Sequence, residues 1–222
     1  ENGAPLEGNL ENIKFFADLE VNYITLAHSK SNHISDSSYD ENKRWPDGLS
    51  PFGFKVVKEM NKQGVMIDIS HVSDAAFMKV LELSKAPVVA THSSLRHFTP
   101  GWERNVSDEM LIALAENGGV IQLCFGSDFV ANRKDNPDIE VSVKNVVDHI
   151  DRVRDLVGID HVGFGSDFDG EVPLPEDIND VSKFPNLIEE LLIRGYTESE
   201  IDKILNENIL RVWKEVRALA DV

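Results

Sequence analysis

The sequence predicts an α/β fold of the (β/α)₈ barrel type, with a parallel sheet and an incomplete N-terminal end. Short apolar runs alternate along the chain with longer segments of helical period, as expected for a parallel sheet covered by helices. The residues best suited to chemistry come at the ends of different predicted strands, where barrel enzymes build their sites. A doubly wound sheet would gather them near one switch point, and the chain has no phosphate-binding glycine fingerprint.

The number of predicted strands indicates how much of a barrel the chain holds. Five strands are predicted within the chain and a sixth would end at Glu1, so about six of the eight strands are expected. The chain opens without an initiator methionine, and about two strands are expected to be missing on its N-terminal side. Residues 1–222 are interpreted as a single domain, the C-terminal portion of the barrel, because this length can bury one substantial core.

The first half of the chain contains three predicted helices and three strands around one long loop. Ser50 can cap a helix that begins at Pro51, and Ser73 can cap the next helix. The polar stretch from residue 29 to residue 48 is the longest predicted loop. Apolar periodicity predicts helices over 10–19, 51–64 and 74–84, and strands over 21–27, 65–69 and 86–90.

The second half repeats this alternation and ends in two helices. Ser107 starts a predicted helix that stops at Gly118 and Gly119. Cys124, the single cysteine, lies in the following apolar strand and is expected to be a small buried side chain. The other predicted elements are strands over 120–125 and 161–165, a polar loop over 126–140 and helices over 142–157, 184–194 and 197–219.

The charge balance excludes two classes of partner. The chain carries 39 acidic and 22 basic residues, a formal net charge of −17. Nucleic acids and anionic lipid surfaces are bound by clustered Lys and Arg, so neither is an expected partner. No apolar run approaches the roughly 20 residues that a membrane span needs, and the segment is expected not to insert into a membrane.

Three histidines follow three successive predicted strands. His28 follows the strand over 21–27, His71 follows the next strand, and His92 follows the third. An imidazole on a rigid strand end is well placed to bind zinc through nitrogen. Because parallel strands of a barrel present their C-terminal ends at one mouth, the three histidines are expected to converge there.

Aspartates supply a candidate for proton transfer. Asp167 comes directly after the last predicted strand, where a carboxylate can take a proton from an attacking water and pass it to a leaving amine. Asp169 either supports a metal ligand or forms a plain Asp-Gly turn. Asp68 lies inside an apolar strand, where burial is costly without partners, and both a metal-supporting role and a purely structural hydrogen bond remain open.

The remaining candidates have weaker patterns. His97 and Trp102 are near Arg104 in the loop after His92 and are candidates for lining a pocket. Structural or solvent-facing roles are expected for the other histidines, which are His33, His149 and His161.

Taken together, several motifs resemble those of the membrane (renal) dipeptidase family of zinc-dependent peptidases. The resemblance extends over essentially the whole chain, in the same order and at similar spacing. The segments that carry it are Glu1-Asn2-Gly3, Tyr23–Ser29, Gly48–Gly53, Ile67–Ser73, Thr91–Ser94, Arg104–Val106 and Gly163–Gly170.

The resemblance implies a role for each candidate. In that family two zinc ions lie at the mouth of a (β/α)₈ barrel, and a water that bridges them attacks the amide bond of a dipeptide. By resemblance Glu1 would bridge both ions, and His71 and His92 would complete the ligands of one ion. His28 would contact the scissile carbonyl or the tetrahedral intermediate, Arg104 would bind the terminal carboxylate of the substrate, and Asp167 would be the general acid-base.

The chain departs from the family pattern at one point. The family's His-x-Asp ligand pair, near the end of the first strand, has no counterpart among the 222 residues. Glu1 would then be the only remaining ligand of the second zinc ion. One ligand is too few for a stable site.

The prediction is therefore a zinc-dependent dipeptidase, with two alternatives left open. Another metal-dependent amidohydrolase, acting on lactams or cyclic amides, would use the same residues, since pocket shape selects the substrate. An inactive fragment that lacks the first-strand ligands is the second alternative. Unpaired strand edges in an incomplete barrel also predict a homodimer, or pairing with the missing segment.

Overall fold

The computed structural model describes residues 1–170 and 172–220, which divide into two compact units. The first unit contains Glu1–Thr91, Ala113–Val120 and the described residues from Ile209 onward. The second unit contains His92–Ile112 and Ile121–Asn208.

The first unit is built on neighbouring parallel strands. Strand β1 (Tyr23–Thr25) pairs in parallel with β2 (Met66–Asp68), and β2 pairs in parallel with β3 (Val89–Ser93). The N–H of Val120, the first residue of β4 (Val120–Leu123), donates to the carbonyl of Val88 at 3.2 Å. In this register Thr25 lies opposite Asp68, and Asp68 lies opposite Val89, the first residue of β3.

Three helices of the first unit begin and end close to where the sequence predicts. They are α1 (Glu11–Asp18), α2 (Pro51–Gln63) and α3 (Asp74–Leu83). Both predicted caps are confirmed: Ser50 Oγ accepts from the N–H of Gly53 at 2.9 Å, and Ser73 Oγ accepts from the N–H of Ala76 at 3.3 Å. The polar stretch 29–48 is a loop, as predicted, and contains only isolated bridges.

Strand β3 begins three residues later than the predicted 86–90 run. Pro87 has no N–H to give to a ladder, and the N–H of Val88 donates instead to the side chain of Asn117 at 2.9 Å. The regular strand therefore starts at Val89 and carries His92 as its fourth residue.

In the second unit β4 pairs in parallel with β5 (Val162–Phe164), and the N–H of Cys124 donates to the carbonyl of Ser93 at 3.1 Å. These pairings give one five-stranded parallel sheet in the order β1-β2-β3-β4-β5. The α/β class is confirmed, and the sheet is consistent with part of a barrel. The expected sixth strand, which would end at Glu1, stays a prediction, as does the single domain over residues 1–222.

The helices of the later sequence follow the predicted pattern with two differences. A short helix lies within the predicted 126–140 loop, and the predicted helix over 197–219 is divided by a π-helical segment, Lys203–Glu207. The helices are α4 (Asp108–Glu116), α5 (Ser127–Val130), α6 (Val143–Val157), α7 (Phe184–Ile193), α8 (Glu198–Asp202) and α9 (Asn208–Ala218). No helix in the described parts of the chain combines the length and apolar character needed to cross a bilayer.

Candidate active site

Glu1 is held close to the end of β1 by the side chain of its neighbour. The Oδ1 atom of Asn2 accepts from the N–H of Ala4 at 3.2 Å and from Nδ2 of Asn32 at 3.0 Å. Nδ2 of Asn32 also donates to the carbonyl of Leu26 at 2.8 Å, two residues before His28. Asn32 therefore links Asn2, the neighbour of Glu1, to Leu26, which lies two residues before His28.

Glu1, His71 and His28 converge in the first unit. Oε1 of Glu1 lies 3.0 Å from Nε2 of His71 and 3.4 Å from Nε2 of His28. The ring centroids of the two histidines are 4.4 Å apart. A carboxylate oxygen and imidazole nitrogens are donor atoms that zinc prefers, so Glu1 and His71 form the core of a candidate His/Glu metal site.

The two histidines differ in exposure. The side chain of His71 is 8% exposed, whereas that of His28 is 42% exposed. Nδ1 of His28 lies 3.1 Å from the hydroxyl of Ser29. The buried imidazole is suited to a fixed ligand, and the exposed one is suited to contact with a molecule that enters from solvent.

Two predicted site residues have a left-handed backbone that non-glycine residues rarely adopt. The φ angle is +68° at His71 and +59° at Asp167. The N–H of Ser38 donates to the carbonyl of His71 at 2.8 Å, and the N–H of Gly170 donates to that of Asp167 at 3.1 Å. Such conformations cost about 1–3 kcal/mol each and cluster at functional sites.

The loop over 29–48 brings in a residue that the sequence analysis missed. The Ser37 hydroxyl donates to the carbonyl of His28 at 2.6 Å and accepts from the N–H of Tyr39 at 3.2 Å. The ring of Tyr39, 43% exposed, has its centroid 6.0 Å from that of His71. No local pattern marks Tyr39, because it lies in a polar loop without periodicity.

Asp68, the last residue of β2, links this strand to β1 and β3. Its carboxylate accepts from the hydroxyls of Thr25 and Thr91, each at 2.6 Å, and from the N–H groups of Ser70 and Thr91, each at 3.0 Å. The hydrogen-bonding role that the sequence left open for Asp68 is thus observed.

In the second unit Arg104 is bound tightly to the end of β3. Nη1 donates to the Ser93 hydroxyl at 2.7 Å and Nη2 donates to the carbonyl of His92 at 2.6 Å. Its guanidinium lies over the Phe129 ring, 5.1 Å from the centroid, and the residue is 3% exposed. Among the described residues its Nε, which is buried, has no hydrogen-bond partner.

The loop that carries Arg104 is clamped by two buried side chains. Asn105 accepts from the N–H of Ser94 at 3.1 Å and donates to the carbonyl of Phe129 at 2.8 Å. His149 accepts at Nδ1 from the N–H of Leu95 at 3.0 Å, so its Nε2 carries the proton and donates to Val130 at 3.2 Å. Burial lowers the pKa of His149 to about 4, which keeps the ring neutral. The structural role expected for His149 is observed.

Asp167 lies against two residues of the second unit. The buried Cys124 thiol donates to its Oδ2 at 3.8 Å, and burial raises the pKa of that thiol to about 12. A Cβ atom at Gly170 would lie 2.4 Å from Oδ1 of Asp167, so only glycine leaves the carboxylate its place. Asp169 is exposed.

Three of the minor candidates make contacts that the structure describes, and the pocket-lining role of His97 stays a prediction. Nε2 of His33 accepts from the N–H of Gly8 at 3.2 Å, a structural contact. Trp102 stacks near Phe129, with centroids 4.7 Å apart, and lines a cavity of about 550 Å³ in the second unit. His97 packs edge-on against Phe98 with centroids 4.9 Å apart.

The structure thus brings Glu1, His28 and His71 together in the first unit. In the second unit it brings Arg104 into contact with the backbone of His92 and places Asp167 beside Cys124.

Comparison with known proteins gives one family. The model of the family described as "Membrane dipeptidase (Peptidase family M19)" matches residues 1–222. The curated protein "Dipeptidase tcpJ" from Claviceps purpurea (strain 20.1) is 40% identical over 208 residues, which are 94% of this chain and 48% of that protein. The chain therefore spans about half the length of this curated relative.

Solved structures agree with this match. The probable dipeptidase PvdM from Pseudomonas aeruginosa superposes with a TM-score of 0.88 and 29% identity, over 99% of this chain and 68% of that one. A metallo peptidase from Rhodobacter sphaeroides, liganded with a phosphinate mimic of the dipeptide L-Ala-D-Ala, has a TM-score of 0.85 and 31% identity. That comparison covers 94% of this chain and 60% of the other.

Proposed function

We propose, because the chain belongs to the membrane dipeptidase family (peptidase family M19), that it forms part of a zinc-dependent dipeptidase. The observation that carries the proposal is the convergence of the Glu1 carboxylate on Nε2 of His71 at 3.0 Å. A hydrolase of this kind needs a carboxylate and an imidazole directed at one point, and Glu1 and His71 supply them in the first unit.

Glu1, His71 and His92 would hold one zinc ion. His92 directly follows Thr91, whose hydroxyl and N–H both bind Asp68 in the first unit, and this adjacency supports its assignment. Glu1 would also bridge to a second zinc ion, for which these 222 residues offer no counterpart of the family's first-strand His-x-Asp pair. Zinc, when bound, would polarise the scissile carbonyl and acidify the attacking water.

The substrate would be held at its free carboxylate. A guanidinium forms paired hydrogen bonds with a carboxylate. Among the described residues Nε of Arg104 has no partner, and its Nη2 is held by the backbone carbonyl of His92. Such an anchor would select peptides with a free C-terminal carboxylate and place the scissile bond at a fixed distance from it. His28, which is exposed and adjacent to Glu1, would donate to the oxygen on which negative charge develops.

Asp167 would move the proton. Its carboxylate accepts a proton from the attacking water and gives it to the amine that leaves when the C–N bond breaks. The strained backbone of Asp167 and the glycine at position 170 fix where this carboxylate points. The result is cleavage into two amino acids with no change in redox state.

The test uses full-length protein, purified and reconstituted with zinc, because residues 1–222 offer no counterpart of the family's first-strand His-x-Asp pair for the second zinc ion. We expect hydrolysis of L-Ala-L-Ala and L-Ala-D-Ala, the latter chosen because a relative binds a mimic of it. The C-terminally amidated dipeptide, which lacks the carboxylate, serves as the matched control and should be cleaved poorly. Failure to retain zinc, or retention of zinc without cleavage of either dipeptide, would contradict the proposal. Preferential cleavage of a cyclic dipeptide or a lactam would favour the amidohydrolase alternative.

Dimerisation also belongs to the proposal. It is expected from unpaired strand edges and would be checked by light scattering on the purified protein. A monomer at all concentrations would contradict it.

A further inference from the structure

Asp68 is a fully buried carboxylate at the end of β2. Among the described residues it accepts four hydrogen bonds, from two threonine hydroxyls and two backbone N–H groups, and none from a Lys or Arg side chain. These donors are dipoles and not charges, so the formal negative charge of the carboxylate has no cationic group among its hydrogen-bond partners in the described chain. The charge therefore acts strongly on whatever cation comes near.

The partners of Asp68 are next to the proposed site residues in sequence. Ser70 directly precedes His71, Thr91 directly precedes His92, and Thr25 lies three residues before His28. One side chain thus fixes the backbone from which three candidate side chains project. A further sign of its proximity to Glu1 is that the pKa of Tyr23, raised first by burial, is raised further by the charges of both Asp68 and Glu1.

We propose that Asp68 is a positioning residue of the metal site, which links β1, β2 and β3 through Thr25 and Thr91 and raises the affinity of the site for zinc through its negative charge. The inference rests on the proposed function and adds a residue that touches neither metal nor substrate. Partners of this kind beyond the direct ligands commonly change metal affinity 10–100-fold.

The substitution Asp68→Asn removes the charge of the side chain and keeps its shape. The amide keeps one oxygen, which can still accept from the N–H groups of Ser70 and Thr91. Its NH₂ group can donate to the hydroxyls of Thr25 and Thr91, which rotate to accept. We expect the variant to fold and its zinc dissociation constant, measured by chelator competition on metal-stripped protein, to rise about 10–100-fold.

A matched control is available in Asp36. Its side chain is equally buried and accepts only backbone N–H groups, those of Arg44 and Trp45 in the 29–48 loop. Asp36→Asn removes the same charge at the same burial, and we expect it to leave zinc affinity unchanged. Thr91→Val removes one donor and keeps the Asp68 charge, so its effect on zinc affinity should be smaller than that of Asp68→Asn.

The outcomes separate the inference from the proposed function. If wild-type protein binds no zinc, the proposed function fails. If it binds zinc and Asp68→Asn binds equally well, or if both Asn variants weaken binding equally, only the role of Asp68 is overturned. Should Asp68→Asn not fold, Thr91→Val carries the test, and unchanged zinc affinity in that variant would overturn the inference.

Discussion

Nε2 of His71 lies 3.0 Å from Oε1 of Glu1, although one residue follows β2 and the other opens the chain. His71 keeps this position with a φ angle of +68°, a conformation that is costly for a side chain with a Cβ atom. The neighbouring loop holds it there through the Ser38 N–H. Strain of this kind is expected where a ligand-binding group must point in one direction.

Glu1→Gln should remove most of the zinc affinity. The amide has the size of the carboxylate but neither its charge nor its strength as a ligand. We expect a fall of more than ~100-fold, because even partners outside the ligand shell change affinity 10–100-fold. Zinc per chain after dialysis, measured by elemental analysis, checks this. His33→Gln is the control, because His33 accepts a hydrogen bond from a backbone N–H. An equal loss of zinc in this variant would contradict the assignment of Glu1 as a zinc ligand.

Arg104→Lys should weaken substrate binding without loss of zinc. Lysine cannot form the paired hydrogen bonds of a guanidinium or stack on Phe129 in the same way. We expect a cost of about 2 kcal/mol, or roughly 30-fold in kcat/KM for L-Ala-L-Ala. The amidated dipeptide should be affected much less. Arg133→Lys, which keeps a surface contact with Asp128, is the control, and melting curves exclude a general loss of stability.

Gly170→Ala should lower kcat by displacing Asp167. The added Cβ atom would lie 2.4 Å from Oδ1, so the carboxylate must move. Asp167→Asn should cost at least ~100-fold in kcat, the lower range for general acid-base catalysis. Gly170→Ala should also lower kcat, and its KM should change little. The exposed Asp169, changed to Asn, should retain normal kcat; if it lost as much as Asp167→Asn, the assignment of the proton carrier would be wrong.

His149 should make the protein less stable as the pH falls. Its pKa is about 4 in the folded state and near 6.5 when unfolded, so the unfolded chain gains a proton first. Titration of this histidine leaves the free energy of unfolding at its full value above pH 6.5. Between pH 6.5 and 4 it lowers the free energy of unfolding by up to about 3 kcal/mol. Besides burial, the nearby His97 lowers this pKa.

Urea unfolding at several pH values measures this effect. His149→Gln can still accept from Leu95 and donate to Val130, and it should show a shallower loss of stability between pH 6.5 and 4. His161→Gln is the matched control and should keep the wild-type slope. A wild-type slope in His149→Gln would contradict the prediction.

The elements of the fold could be predicted because their signals are local. Ser50 and Ser73 cap helices through N–H groups three residues away, and apolar runs identify every strand in the described chain to within a few residues. The placement of His28 and His71 at strand ends follows from the same runs. The division of the last helix by Lys203–Glu207 left no such signal.

By itself, then, the sequence determined the order of strands and helices and which side chains follow them. Tertiary structure alone decided that Glu1 meets His71, that Tyr39 approaches the same ring, and that Asp68 joins Thr25 and Thr91 across the sheet. These contacts link residues far apart in the chain. Their geometry depends on strand register and on loop hydrogen bonds, which no local pattern of residue types encodes.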